Sequence, residues 1–115
     1  MASGDRVETR LVNSTALSAT DAALGSGVVA AGHVWVIKQV MLCNTSGTDR
    51  LVYLGIGNTV TGGTSSRFMH ALPIAGYDTI ILDTAVVLNA GDRLWGYSDF
   101  AGSVNVTVVG WDKTL

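Results

Sequence analysis

Charge is scarce in this chain. Lys, Arg, Asp and Glu make up 14% of its 115 residues, against roughly 25% in an ordinary soluble protein. The seven basic residues are scattered and the net charge is −2. That disfavours nucleic acid as a primary ligand, because counterion release needs a clustered basic face. Cysteine occurs once, as Cys43, so no intrachain disulfide can form. Proline also occurs once, as Pro73. No apolar run nears the ~20 residues that span a bilayer, so no membrane partner is expected. The opening MASGDRVETR has no apolar core of a signal peptide. Synthesis and folding in the cytoplasm are expected.

What the chain does hold is apolar and glycine-rich: 48% hydrophobic residues and 14 glycines. Its length suits one domain able to bury a core without metals or disulfides. Low charge on so apolar a chain fits a surface partly buried against neighbours. It equally fits a β-rich surface made of Ser, Thr, Asn and Gly.

The longest apolar run is Val34 to Cys43, VWVIKQVMLC. Its β-branched and aromatic residues Val34, Trp35, Val36 and Ile37 pack well on a pleated surface, which predicts a central strand. It lacks a clean two-residue alternation, so cover on both faces is expected. From Val28 onward the pattern is strand, turn, strand. Turns are expected at Ala31-Gly32, Asn44 to Asp49, Gly57-Asn58, Gly62-Gly63, Ala75-Gly76, Ala90-Gly91-Asp92 and Ala101-Gly102. Between them lie strand-length segments: Arg50 to Ile56, Arg67 to Ile74, Tyr77 to Asp83, Arg93 to Ser98 and Val104 to Trp111. Val52, Leu54 and Ile56 share one face, as do Val104, Val106 and Val108, the antiparallel half-buried pattern. Pro73 has no ladder N–H and marks an edge or a strand end.

An echo joins two stretches. Val28-Val29-Ala30-Ala31-Gly32 leads to Trp35, and Val86-Val87-Leu88-Asn89-Ala90-Gly91 leads to Trp95. Two similar halves suit a double Greek key. The predicted fold is all-β, an antiparallel β-sandwich of jelly-roll-like plan over 28–115. Residues 1–27 read as an N-terminal arm or edge segment. Arg6 to Val12 alternates, and its charges at Arg6, Glu8 and Arg10 suit an edge strand that resists unwanted pairing. Thr20 to Gly25 has the residues for one helical turn. As an arm, residues 1–27 would be removable with the sandwich left folded.

The segments VVAAGHVWVIKQVMLCNTSGTDRLVYLGIG, LPIAGYDTIILDTAVVLNAGDRLWGYS and VNVTVVGW, in that order, resemble small virion proteins of tailed bacteriophages. The resemblance covers about residues 28–111 and lies in turn and core positions. It implies a β-sandwich that decorates a capsid or forms part of a tail.

Residues suited to chemistry are few and apart. Zinc needs three or four ligands, and only His33, His70 and Cys43 are on offer, with no close spacing. Cys43 ends an apolar strand, where a thiol acts as a small hydrophobe. No Gly-x-Ser-x-Gly elbow exists. The glycines from Leu54 to Gly63 lack the Lys-Ser/Thr of a phosphate loop. Asp78, Asp83, Asp92 and Asp99 fall near turns, where Asp usually satisfies backbone N–H groups, with calcium as the alternative. The sequons at Asn13, Asn44 and Asn105 reflect abundant Ser and Thr. Trp95, Tyr97, Phe100 and Trp111 cluster late in the chain, and they suit a core or subunit interface. Exposed, Trp95, Tyr97 and Trp111 would suit a carbohydrate-binding module.

No catalytic, cofactor or metal residue is therefore predicted, and no enzyme. The expected role is a virion structural protein, a capsid decoration or minor capsid subunit. Its partners would be the major capsid protein and copies of itself, as a trimer. A tail fibre, baseplate or tail-tip piece is the alternative within the same class.

Overall fold

The computed structural model describes residues 6–25, 28–58 and 66–115. Eight strands follow one another: β1 (Arg6–Ala16), β2 (Ala22–Ala23), β3 (His33–Asn44), β4 (Arg50–Gly57), β5 (Arg67–Ile74), β6 (Thr79–Leu88), β7 (Arg93–Ser98) and β8 (Val104–Thr114). They form two four-stranded sheets, ordered β1-β8-β3-β6 and β2-β7-β4-β5. Every pairing is antiparallel.

The order has a simple origin. β1 pairs with β8, β2 with β7, β3 with β6 and β4 with β5. The chain is one long ribbon that runs out to the β4–β5 hairpin and returns along itself. Curling that ribbon brings β3 against β8 and β4 against β7. This is the eight-stranded jelly roll, the all-β sandwich expected from the sequence. Strands β5 and β7 keep the bounds read from the sequence, and β5, which carries Pro73, is an edge strand. The Gly62-Gly63 turn lies outside the described residues.

Alternation builds the core. Val104, Val106 and Val108 of β8 are fully buried, as are Val52 and Leu54 of β4 and Leu94 of β7. They meet Ile37, Val40 and Leu42 of β3, with Val12, Leu17, Val29, Ile74 and Leu88 completing the interior.

β3 departs from its expected cover. The register shifts between Ile37 and Gln39 against both neighbours. Ile37 and Val40 both point inward, and Lys38 and Gln39 are passed over on the outside. A β-bulge, not burial on two faces, broke the alternation. Val34, Val36, Met41 and Cys43 on the other face are only half-buried. Gly110 pairs with Ile37 at this point. A Cβ on Gly110 would fall on the Val36 carbonyl oxygen, so the bulge needs a glycine beneath it.

One expectation for the N-terminal segment is corrected. Thr20 to Gly25 holds no helical turn: it bends into the two-residue strand β2, which pairs with Trp95 and Gly96 of β7. Residues 6–25 are built into the two sheets rather than lying beside them. β1 caps the β8 edge over eleven residues, and Leu11, Val12, Leu17 and Leu24 are core.

The echoed turns lie side by side. The Val29 N–H donates to the Asp92 carbonyl and the Gly91 N–H to the Val29 carbonyl, both at 2.9 Å. Each turn closes on an i+3 bond, His33 to Ala30 and Asp92 to Asn89. Each has glycine at positive φ, 78° at Gly32 and 89° at Gly91, a conformation that glycine adopts without a Cβ penalty.

Candidate functional surfaces

Most groups that the sequence offers for chemistry are occupied in holding the fold. His33 opens β3, and its Nδ1 lies 2.8 Å from Asp112 Oδ1 on β8, a half-exposed pair that ties two strand ends. His70 sits on β5, on the other sheet, with its ring edge-on to Tyr53 at 5.1 Å. Cys43 is on the half-buried outer side of β3. The three are not brought together, and no group of three metal-ligating side chains occurs among the described residues.

The turn aspartates accept backbone N–H groups. Asp78 accepts from Thr79, Asp92 from Asn89, and Asp99 from Leu51, at 2.9 to 3.1 Å. Asp83 instead accepts from Gln39 Nε2 across the β3–β6 pair at 3.2 Å. Asp49, not singled out in the sequence, accepts from the Gly76 N–H at 3.1 Å.

Asn44 is the polar hub that sequence reading missed. It is 1% exposed. Its Nδ2 donates to the carbonyls of Thr48, Ile74 and Ala75 at 2.8 to 3.3 Å. Its Oδ1 accepts from the Ser46 N–H at 3.0 Å and the Ser46 hydroxyl at 2.8 Å. One side chain therefore pins the β3–β4 loop to the turn that launches β6. The only sequence signal was an Asn-Thr-Ser turn at a strand end.

The aromatics divide between the sheets. Trp95 and Tyr97 alternate with buried Leu94, Gly96 and Ser98, so they face outward on the β2-β7-β4-β5 sheet rather than into the core. Trp111 is on β8, in the other sheet, with Lys38 Nζ 5.2 Å above its ring. A single carbohydrate platform of Trp95, Tyr97 and Trp111 is therefore not assembled. Tyr97 stacks on Tyr53 at 4.4 Å, and the Arg67 guanidinium sits 5.1 and 5.2 Å from their rings. The Trp95 Nε1–H donates to the Asn58 carbonyl. Phe100, in the turn after β7, is covered by Arg50 at 4.4 Å.

The outer face of the β1-β8-β3-β6 sheet carries an open depression of about 780 Å³. The β3 bulge lies at its centre. Glu8, Arg10, Lys38, Asp83 and Trp111 line it. Beside it, along β6, Ile81 and Val87 are 58% and 49% exposed.

No protein-family model matches the chain, and no curated protein matches it. Solved structures match in fold. A structure from work on Bacillus endospore appendages, described as a family of disulfide-linked pili, superposes with a TM-score of 0.55 at 11% identity, over 99% of this chain and 92% of that one. The Drosophila NLP core, described with pentamer formation and histone binding, gives 0.49 at 15% identity, over 87% and 95%. The Tobacco streak virus coat protein, described as a dimer, gives 0.48 at 11% identity, over 95% and 86%. At 11% identity the likeness to the first of these is one of fold alone.

Proposed function

We propose that this chain is a structural subunit of a virus particle, and more finely a bacteriophage capsid decoration or minor capsid protein. One observation carries the reading. His33, Asp78, Asp92, Asp99 and Asn44 are committed to turns and strand ends, while an ordered apolar strand, β6, stands at the surface. Such a molecule has these polar side chains tied up by its own fold and apolar contact area turned outward. The resemblance over residues 28–111 supports the same reading and supplies its bacteriophage part.

The mechanism is mechanical. A stiff two-layer sandwich bridges adjacent major-capsid subunits and adds buried area against internal pressure. Contacts between copies multiply weak attachments through effective concentration. The trimer expected from the sequence stays a proposal beside the two-fold contact argued below. The protein would reside in the virion, without nucleic acid or membrane as partner.

Mixing the purified chain with emptied phage heads and with isolated tails tests the proposal. Co-sedimentation with heads at a fixed ratio is the expected result. Binding to tails alone would contradict the decoration role, and binding to neither would contradict the virion role.

A further inference from the structure

Three of the four sheet edges are protected. β1 carries Glu8 and Arg10 and two register shifts. β2 is two residues long. β5 carries Pro73, Arg67 and His70, with Ala71 at φ 51° where its register slips. β6 slips register once against β3, between Asp83 and Val86, but has no proline, no positive-φ residue and no row of charges. It runs ten residues, alternates in burial without a break, and holds one charge, Asp83. Among the described residues no strand pairs with its outer side. A long, alternating, apolar edge is a template for another strand.

The sequence of β6 indicates which strand. Read outward from Thr84, apolar residues mirror one another beyond a central Asp83–Ala85 pair. Asp83 mirrors Ala85, Leu82 mirrors Val86, Ile81 mirrors Val87 and Ile80 mirrors Leu88. Two antiparallel copies related by a two-fold axis at Thr84 would place each of these residues opposite its mirror. Residues directly opposite in an antiparallel pair project from the same face. Ile81, exposed, would thus meet exposed Val87 of the second copy, and Leu82 would meet Val86. The neighbouring registers are worse. An axis at Asp83 sets two carboxylates against each other, and an axis at Ala85 sets Asp83 against Val87. Like charges directly opposite are destabilising.

We propose that β6 is a self-contact, pairing with β6 of a second copy about a two-fold axis at Thr84 to give one continuous eight-stranded sheet. The inference deepens the structural-subunit reading by naming its contact between copies. It is tested in solution, so failure to bind particles would leave it standing.

The test uses charge of either sign at one exposed position. In this register residue 85 faces Asp83 of the partner copy, twice per dimer. Ala85→Lys creates two attractive cross-strand pairs and Ala85→Asp two repulsive ones. Dimerisation is read by sedimentation equilibrium, with the circular dichroism spectrum as the check on folding. The wild-type chain should reach twice its monomer mass. Ala85→Lys should tighten the dimer roughly threefold to tenfold and Ala85→Asp loosen it by a similar factor, with both effects shrinking in high salt. Ile81→Lys should leave a folded monomer. A wild-type chain monomeric at millimolar concentration would overturn the proposal. So would a dimer that Ala85→Lys weakens as much as Ala85→Asp, since lysine then acts only as an edge blocker.

Discussion

The two edges of the β1-β8-β3-β6 sheet are built in opposite ways. β1 is charged on its outer side, with Glu8 across from Trp111 and Arg10 across from Val109. It slips register twice, between Arg10 and Val12 and again between Val12 and Thr15. Both features spoil an edge for further pairing. β6 slips once against β3 but alternates in burial along its whole length, with apolar residues on both faces. The two strands are similar in length, eleven and ten residues, and belong to one sheet. What differs is protection. A chain this poor in charge places two of its few charges where they block one edge and leaves the other free, which is the economy of a molecule that joins others on one side.

The contrast can be broken from the β1 side first. Deleting residues 1–27 removes four core side chains and leaves β8 as a raw edge. Cooperative thermal unfolding should disappear, as followed by near-ultraviolet circular dichroism. A folded truncated chain would show β1 to be dispensable. Next comes the joint between the edges. Gly110→Ala pushes a methyl group onto the backbone of the β3 bulge and should cost about 3 kcal/mol in urea unfolding. Asn44→Ala takes its side-chain donor from the buried Ile74 carbonyl and a second donor from the Ala75 carbonyl, which keeps the Asp78 N–H, at a cost of about 2 kcal/mol, and loosens the turn into β6. The double substitution Glu8→Val, Arg10→Val should change stability by less than about 0.5 kcal/mol, because both sites are exposed. It should nonetheless raise light scattering on standing, because the β1 edge loses its guard. A comparably small effect, of opposite sign, is expected at Ala71. Glycine there relieves a left-handed alanine, worth about 1–2 kcal/mol, against the entropy of glycine, about 0.5–1 kcal/mol. A net gain of about 0.5 kcal/mol should appear as a slightly higher Tm.

Much of the sandwich was legible in the sequence, for a physical reason. Period-two burial and glycine turns are local, so β5, β7 and the start of β8 could be bounded from residues alone. β6 shows where this stops. Its predicted end at Asp83 is five residues short of Leu88. A polar pair, Asp83-Thr84, reads as a break, but on an edge strand Asp83 faces water and Gln39 and the ladder continues. The β3 bulge was visible only as a failed alternation, and that symptom has two causes. Separating them required Gly110, which is 73 positions after Ile37 in the chain and directly opposite it in the sheet. Trp95 and Trp111 look adjacent because 16 residues separate them, yet the ribbon changes sheets between β7 and β8. The role of Asn44 was hidden because its partners, Ile74 and Ala75, come from a turn some thirty residues later.

Amide hydrogen exchange measured on one sample at low and high protein concentration tests the central claim most directly. Local exchange reports which backbone groups gain hydrogen-bond partners. The account predicts that outward-pointing amides of β6, between Ile80 and Leu88, slow as concentration rises, while amides of β1 keep their rates. Exchange in β6 that is indifferent to concentration, or protection that appears on β1 instead, would contradict it.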